Sequence, residues 1–578
     1  MRCRPVVLAG VCWLGLVLAV GCGARPDGGE PPGEDAGIAP STLTVRLSAS
    51  QIDWVDGTAT PASVTALLVA PDGTETDVSA ATTFAVAPFE LATVTAQQLV
   101  VTGAAAGAGR VIAGFDGLAA DAAFEVRVTE TLTGTADPSV AGLFAAATPD
   151  TASTLEIAYP PAGAMVPPNL GEMEVHWRDP AGKDVYEVQL SGGFVTLRTY
   201  VTSLGAATWH ALAAASWEKL SSGAAGVELT VRVRGLSTAT PATYIEGSEV
   251  VRIAAEAVKG GVYYWNATAG ALMRFDMTAA ATTAERFYPP VGQTGCVGCH
   301  AVSRDGTVVS IRREGSNLNF GNALTVASLT TMLAENTQRW NFSAVHPNNR
   351  DLMTTTETGL YVTDLTTGAT TPLHTTSRIT HPEVSPDGLH VVAIEVLGGN
   401  EVWTSASRLV VFDYDPVTRL ASLPRTLLDV DPAYPFYPSY SPDGQWVLFN
   451  RATGGSSYDN RNAELWVIEA DGSGAPLRLS QAEGTGTHDS WPKFTPFDGH
   501  EPTATGSEPI VWFTVASRRL FGVRSVPTQK PQLWLAPFYP ERAAAGQPAS
   551  APMVRLPFQN LAEGNHTAQW TEAIVTLQ

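Results

Sequence analysis

The sequence predicts an all-β protein, two β-sandwiches followed by a six-bladed β-propeller. Two observations point there. Only 16% of the 578 residues are charged, Gly and Pro number 53 and 40, and β-branched runs recur between these turn formers. That composition favours sheets joined by turns over helical bundles. From Gly260 onward, moreover, a unit repeats: HPEVSPDGLHVVAIE (381–395) and YPSYSPDGQWVLFNR (437–451) align without a gap. Length alone implies about three domains. The net charge of −21 repels phosphate backbones, which argues against nucleic acid as a partner and fits solubility outside the cytoplasm.

The first 22 residues read as an export signal. Arg2 and Arg4 precede an apolar core from Val6 to Val20, too short to span a bilayer comfortably. The core ends in LAVGC, and Gly21-Cys22 resembles the lipobox of bacterial lipoproteins, although Ala19 stands where that pattern prefers Leu. The resemblance implies that Cys22 becomes an acylated N-terminus, each buried CH₂ of the acyl chains adding about 0.8 kcal/mol of anchoring. The alternative is secretion after a small-residue cleavage site. Residues 23–40 (GARPDGGEPPGEDAGIAP) carry no apolar periodicity and read as a flexible tether. Of five cysteines, Cys3, Cys12 and Cys22 lie in the signal, so the body retains only Cys296 and Cys299.

Residues 41–128 alternate short strand-like runs with turns, among them LTVRLSA, VTALLVAPDGTETDVS and the closing FEVRV. They resemble a bacterial Ig-like domain of the adhesin type, which implies a spacing or weakly adhesive module. Residues 129–154 are Thr/Ala-rich and read as a linker with room for a short helix. Residues 155–255 contain paired prolines before a strand ending in Trp177, then YEVQL and VRVRG, and resemble a fibronectin-type-III-like sandwich.

In the repeat, Pro presets φ and Gly accepts positive φ, so Ser-Pro-Asp-Gly supplies a turn between two strands. Looser copies are CHAVSRDGTVVSIRR (299–313), FSAVHPNNRDLMTTT (342–356), SWPKFTP with IVWFTVASRR (490–519) and HTAQWTEAIVTL (566–577). That makes six inner-strand motifs. The segment before the first, GVYYWNATAGALMRFDM (261–277), reads as two outer strands lacking an inner pair, and the last copy reads as that inner pair. The two chain ends would then share one blade. The repeat resembles the six-bladed propeller of TolB-like proteins over residues 260–578. The α/β domain of TolB is absent, so its role in envelope assembly is not implied. Prolyl-peptidase relatives carry a hydrolase GxSxG, and none occurs here.

The motif CVGCH at 296–300 is the attachment pattern of a c-type haem. It implies one covalent haem c, with Cys296 and Cys299 as thioethers and His300 as proximal iron ligand. Competing readings are a thioredoxin-like CxxC, which wants a βαβ context, a zinc site, which wants two more ligands, and a local disulfide. Aligning the repeats puts Cys299 level with His381, and places His488 and His566 within a few residues of that level. A second axial ligand is therefore sought first in His566, then His381, with His488 and Met353 behind them. Glu383 and Asp489, near the same level, could bind water, metal or substrate.

The functional expectation is an exported, membrane-anchored envelope lipoprotein that carries one haem for electron transfer or haem-based redox chemistry. Electron transfer is expected over turnover catalysis, since no hydrolase motif is present. Its partner would be a redox protein or a small electron donor or acceptor. The alternative is a non-catalytic scaffold recognising protein or glycan, with haem structural or absent. If the lipobox reading holds, the wild-type chain fractionates with membranes and incorporates labelled palmitate, and Cys22→Ala abolishes the label. A label retained in Cys22→Ala would reject the assignment.

Overall fold

The computed structural model describes residues 41–279, 281–289, 296–315, 318–484, 486–524 and 530–577. The expected signal with Cys22 and the tether lie outside them. Among the described residues no helix is long and apolar enough to cross a membrane.

Residues 42–132 form two facing sheets. One holds strands Thr42–Leu47, Ala62–Val69, Glu75–Asp77, Thr93–Thr95 and Gln98–Val100. The other is built around Gly107–Phe115 and Leu118–Leu132. In Gly107–Phe115 the buried residues alternate, Val111 and Ala113 facing the core and Arg110 and Ile112 facing solvent, as a half-buried strand requires. Leu118–Leu132 then pairs in parallel with Val195–Thr202, Val128 opposite Val195, so one eleven-stranded sheet runs through both sandwich regions. A second, three-stranded layer containing Met173–Arg178 completes the region from 155 to 255. The stretch 129–154, read from sequence as a linker, is built into this structure. It finishes the Leu118–Leu132 strand, forms a helix at Val140–Ala146 that packs Val140 and Phe144 on Val185, Tyr200 and Leu236, and adds the strand Thr148–Thr154.

Among the described residues from Gly261 to Thr571 the chain makes six antiparallel sheets, in five of which the strands follow sequence order. The first strands of these five are Cys296–Val302, Phe342–Val345, Ile379–Val384, Tyr434–Tyr440 and Ser490–Thr503. The sixth sheet begins with Asn565–Thr571, and its other three strands, Gly261–Asn266, Ala271–Asp276 and Glu285–Tyr288, come from far earlier in the chain. Each first strand packs against the next, and Asn565–Thr571 against Cys296–Val302, so the inner strands close a ring. Closure therefore divides the strands three and one, where the sequence suggested two and two. The reason lies after Thr571. There the chain does not turn back into a strand, and Ile574 and Val575 instead pack beneath Tyr263, Phe287 and Val309.

The turn motif explains the register. Ser385 Oγ accepts the His390 N–H at 2.9 Å, Asp387 accepts the Leu389 N–H at 2.9 Å, and Gly388 takes φ of 76°. Ser441-Pro442-Asp443-Gly444 and Ser303-Arg304-Asp305-Gly306 repeat the same bonds to Trp446 and Gln445, and to Val308 and Thr307. The residue types are those that satisfy turn N–H groups and accept positive φ.

The second sandwich docks on the fifth sheet. Buried Glu501 takes the Ala255 N–H at 2.6 Å and Arg252 at 3.3 Å, and Arg252 also reaches the Pro502 carbonyl at 2.9 Å. His176 is enclosed here, bonded to Glu174 at 2.8 Å, with its ring 4.6 Å from Phe521.

Closure through Trp570, which is 4% exposed and donates its indole N–H to Thr514 at 3.0 Å, carries a test. Trp570→Ala should cost about 3–5 kcal/mol of unfolding free energy in a denaturant titration. An unchanged midpoint would mean that the inner strand of the sixth sheet does not close the ring.

Candidate functional site

Each inner strand descends from one face of the ring to its turn. In the first, third and fourth sheets Cys299, His381 and Tyr437 stand four residues before the serine that opens the turn, and Phe342, Trp491 and Thr567 reach the same level in the second, fifth and sixth. All six line one cavity of about 70 Å³ at the mouth of the axis, together with the residues next in sequence, His300, Ser343, Pro382, Pro438, Pro492 and Ala568.

A shared backbone feature places these side chains. His381, Tyr437, Trp491 and Thr567 have φ of 52°, 52°, 56° and 53°, the left-handed region that non-glycine residues seldom occupy. At the first three the ladder with the second strand slips, between Thr380 and Glu383, Phe436 and Ser439, and Ser490 and Lys493. Such bulges re-aim a side chain that would otherwise follow the pleat. Each left-handed residue costs about 1–3 kcal/mol, and such strain concentrates where geometry serves a site.

The aromatic members touch. Tyr437 stacks on Trp491 at 3.7 Å, the His381 ring lies 4.2 Å from Tyr437, and Phe342 stands edge-on to His381 at 4.5 Å. Below them Lys493 and Glu383 form an ion pair, and with Gln569 these residues also line a second cavity further down the axis.

His300 sits opposite Ile311 and is 5% exposed. Its Nδ1 is 3.4 Å from the Gly298 carbonyl, the Tyr263 backbone also acts on the ring, and its Nε2 is buried with no hydrogen bond of good geometry. With its proton on Nδ1, toward the Gly298 carbonyl, the ring would offer Nε2 as the lone-pair nitrogen, the tautomer a metal-ligating histidine takes. Burial lowers its pKa to about 4, so the imidazole is neutral at physiological pH. The guanidinium of Arg312 lies 3.7 Å from Cys299 Sγ. Cys296 begins the strand, and its side chain lies outside the described residues.

Tested against these observations, the haem implied by CVGCH fits in donor chemistry, because His300 offers an orphaned buried nitrogen beside Cys299. The volume does not enclose a macrocycle. A water occupies about 30 Å³ of liquid, so the cavity as it stands takes only a small molecule. Among the described residues no group of three or more His, Cys, Asp or Glu is arranged to hold a bare metal ion.

Of the second-ligand candidates, only His381 shares the cavity with His300. His566 is buried beside Trp265, ring centres 5.5 Å apart, and does not line the cavity. His488 gives Nδ1 to Asp459, 2.8 Å from the backbone oxygen and 3.1 Å from the carboxylate, which Arg518 also holds. Met353 is wholly buried in an apolar cluster with Leu360, Val362 and Ile379, so its sulfur faces core. Asp489 is buried against Arg519 at 2.8 Å and the Gly484 N–H at 3.0 Å, a structural role. Reading histidines alone missed Phe342, Tyr437, Trp491 and Thr567. Their signal was the column they share with Cys299 and His381.

No protein-family model and no curated protein matches the chain. Similar solved structures include TolB from Acinetobacter baumannii (11% identity, 59% of this chain and 79% of that one, TM-score 0.36). Others are a putative TolB from Agrobacterium tumefaciens (15%, 54% and 98%, 0.31) and the dihydro-heme d1 dehydrogenase NirN in complex with DHE (15%, 51% and 63%, 0.29). These neighbours are TolB-like β-propellers and a haem d1 protein. At such scores they carry no functional assignment.

Two tests arise from the site. Thr567→Gly should leave stability unchanged or raise it by up to about 1 kcal/mol, because relief of left-handed strain offsets the flexibility glycine adds. A clear loss would show that Thr567 lies in ordinary strand geometry. The second concerns pH. Burial lowers His300 and His566 to about 4, whereas the unfolded chain takes these protons near 6.5. Their contribution is thus present above about pH 6.5 and lost as pH falls toward 4, because the unfolded state binds more protons in that window. Denaturation of the haem-free Cys296→Ser/Cys299→Ser chain should show this loss, and replacing both histidines by Gln should reduce it.

Proposed function

We propose that this chain is an exported, lipid-anchored electron-transfer protein, in which two Ig-like sandwiches present a six-bladed propeller of the TolB-like kind carrying one haem c. Cys296 and Cys299 would hold the haem by thioethers, and His300 would ligate its iron. The haem, when bound, supplies one-electron chemistry. The protein's own contribution is positional: Gly298 orients the imidazole through Nδ1, and burial keeps it unprotonated. The observation that carries the reading is the buried Nε2 of His300, which has no hydrogen bond of good geometry, beside Cys299. Such a nitrogen is costly unless something binds it.

A second reading is a binding scaffold, favoured by the convergence of Phe342, His381, Tyr437 and Trp491 on one mouth. Co-expression with a haem-maturation system separates the two. The electron-transfer reading expects one covalent haem per chain by haem stain and pyridine haemochrome, lost in Cys296→Ser/Cys299→Ser. Colourless wild-type protein overturns it and leaves the scaffold.

A further inference from the structure

Where the second sandwich meets the ring, a cleft of about 670 Å³ lies between them. The sandwich contributes residues 168–172 and the helix Ala214–Gly223, and the junction contributes residues 257–259. The ring contributes Phe275 and Met277 from the sixth sheet and its edge, and Phe558 from the stretch that leads into that sheet's inner strand.

The polar groups of these walls are largely spent on one another. Asn169 donates from Nδ2 to the Val258 and Met277 carbonyls at 2.8 and 2.7 Å, and accepts the Val258 N–H at 3.0 Å. The Pro168 carbonyl takes the Trp217 indole N–H at 2.8 Å and the Ser221 hydroxyl at 3.0 Å. The Met277 N–H goes to the Gly260 carbonyl at 3.0 Å. These bonds set the shape of the cleft before anything enters it. The lining is accordingly carbon-rich, with Leu170, Trp217, Val258, Met277 and a stacked pair, Phe275 on Phe558, ring centres 4.2 Å apart. A preformed apolar cleft of this volume at a junction between domains suits a drug-sized organic molecule. Water there finds few polar partners, so an apolar body that displaces it gains affinity.

Charge selects among apolar occupants. Glu172 and Glu218 line the cleft and are exposed, and Lys259 on the same rim is paired with Glu256 at 3.4 Å. The rim therefore disfavours apolar anions. It also disfavours the chain's own segment 23–40, which carries four carboxylates and one Arg, and a second copy of a chain whose net charge is −21. A cation is favoured.

We propose that this junction binds a small organic cation, its aromatic or aliphatic body seated against Trp217, Met277 and the Phe275–Phe558 pair and its ammonium group toward Glu172 and Glu218. The site shares no lining residue with the mouth of the axis, so it stands apart from the haem reading.

Naphthylmethylamine, naphthylmethanol and naphthoate present one aromatic body with a positive, a neutral and a negative head. Titrated by calorimetry into the wild-type chain at low salt, the amine should bind once per chain with a Kd on the order of 0.1 mM. The alcohol should bind about 3–10-fold more weakly and the carboxylate more weakly still, the modest steps that exposed charges give. Glu172→Gln/Glu218→Gln should lower the amine to the affinity of the alcohol and leave the alcohol unchanged. Ala215→Trp and Ala257→Trp each fill the cleft from an exposed position, and should weaken all three ligands by about tenfold or more without moving the unfolding midpoint. A wild type that binds none of the three overturns the proposal. So do equal affinities for amine and alcohol, or undiminished binding in both tryptophan variants. The Cys296→Ser/Cys299→Ser chain should give the same values as the wild type, so failure of the haem reading leaves this result standing.

Discussion

The ring depends on one local constraint, the serine-capped turn that ends the inner strands of its first, third and fourth sheets. In its best copies a serine hydroxyl takes the N–H five residues on, and an aspartate takes the N–H two residues beyond itself. These bonds fix which residue of the first strand faces which residue of the second. Everything above the turn inherits that register, because a one-residue slip would move each side chain to the opposite face. The mouth is assembled by counting back from a turn that lies at the far end of the channel.

Between turn and mouth the register is broken on purpose-built terms. In the third, fourth and fifth sheets a left-handed residue precedes proline and the ladder slips there. A regular strand would have sent His381, Tyr437 and Trp491 between sheets, where apolar side chains pack. The bulge turns them toward the axis at a cost the surrounding core absorbs. Valine, leucine and aromatic side chains buried between neighbouring sheets supply that core, and closure of the sixth sheet by both chain ends makes its burial mutual.

The sandwiches are bound to this ring through a mixture of burial and charge. Arg252 and Glu501, Glu174 and Arg524, and the Asn169 side chain on the Val258 and Met277 carbonyls tie the second sandwich to the fifth and sixth sheets. The mouth with Cys299 and His300 is not lined by any sandwich residue. The sandwich regions hold the ring and leave this mouth uncovered.

By itself the sequence determined the all-β class, the repeat and its turn, and the sharing of one sheet between the first and last strands of the repeat region. These are local matters, decided by composition, by the φ preferences of Pro and Gly, and by spacing within a few residues. Only the tertiary structure decided that the closing sheet divides three strands to one, that residues 129–154 are built into sheets and a helix, and that His381 reaches the cavity of His300 while His566, His488 and Met353 do not. Those outcomes turn on which face of a strand a side chain takes after a bulge, and on what surface a distant segment offers it. Periodicity along one chain does not encode either, because a bulge changes the phase of a strand without changing its composition.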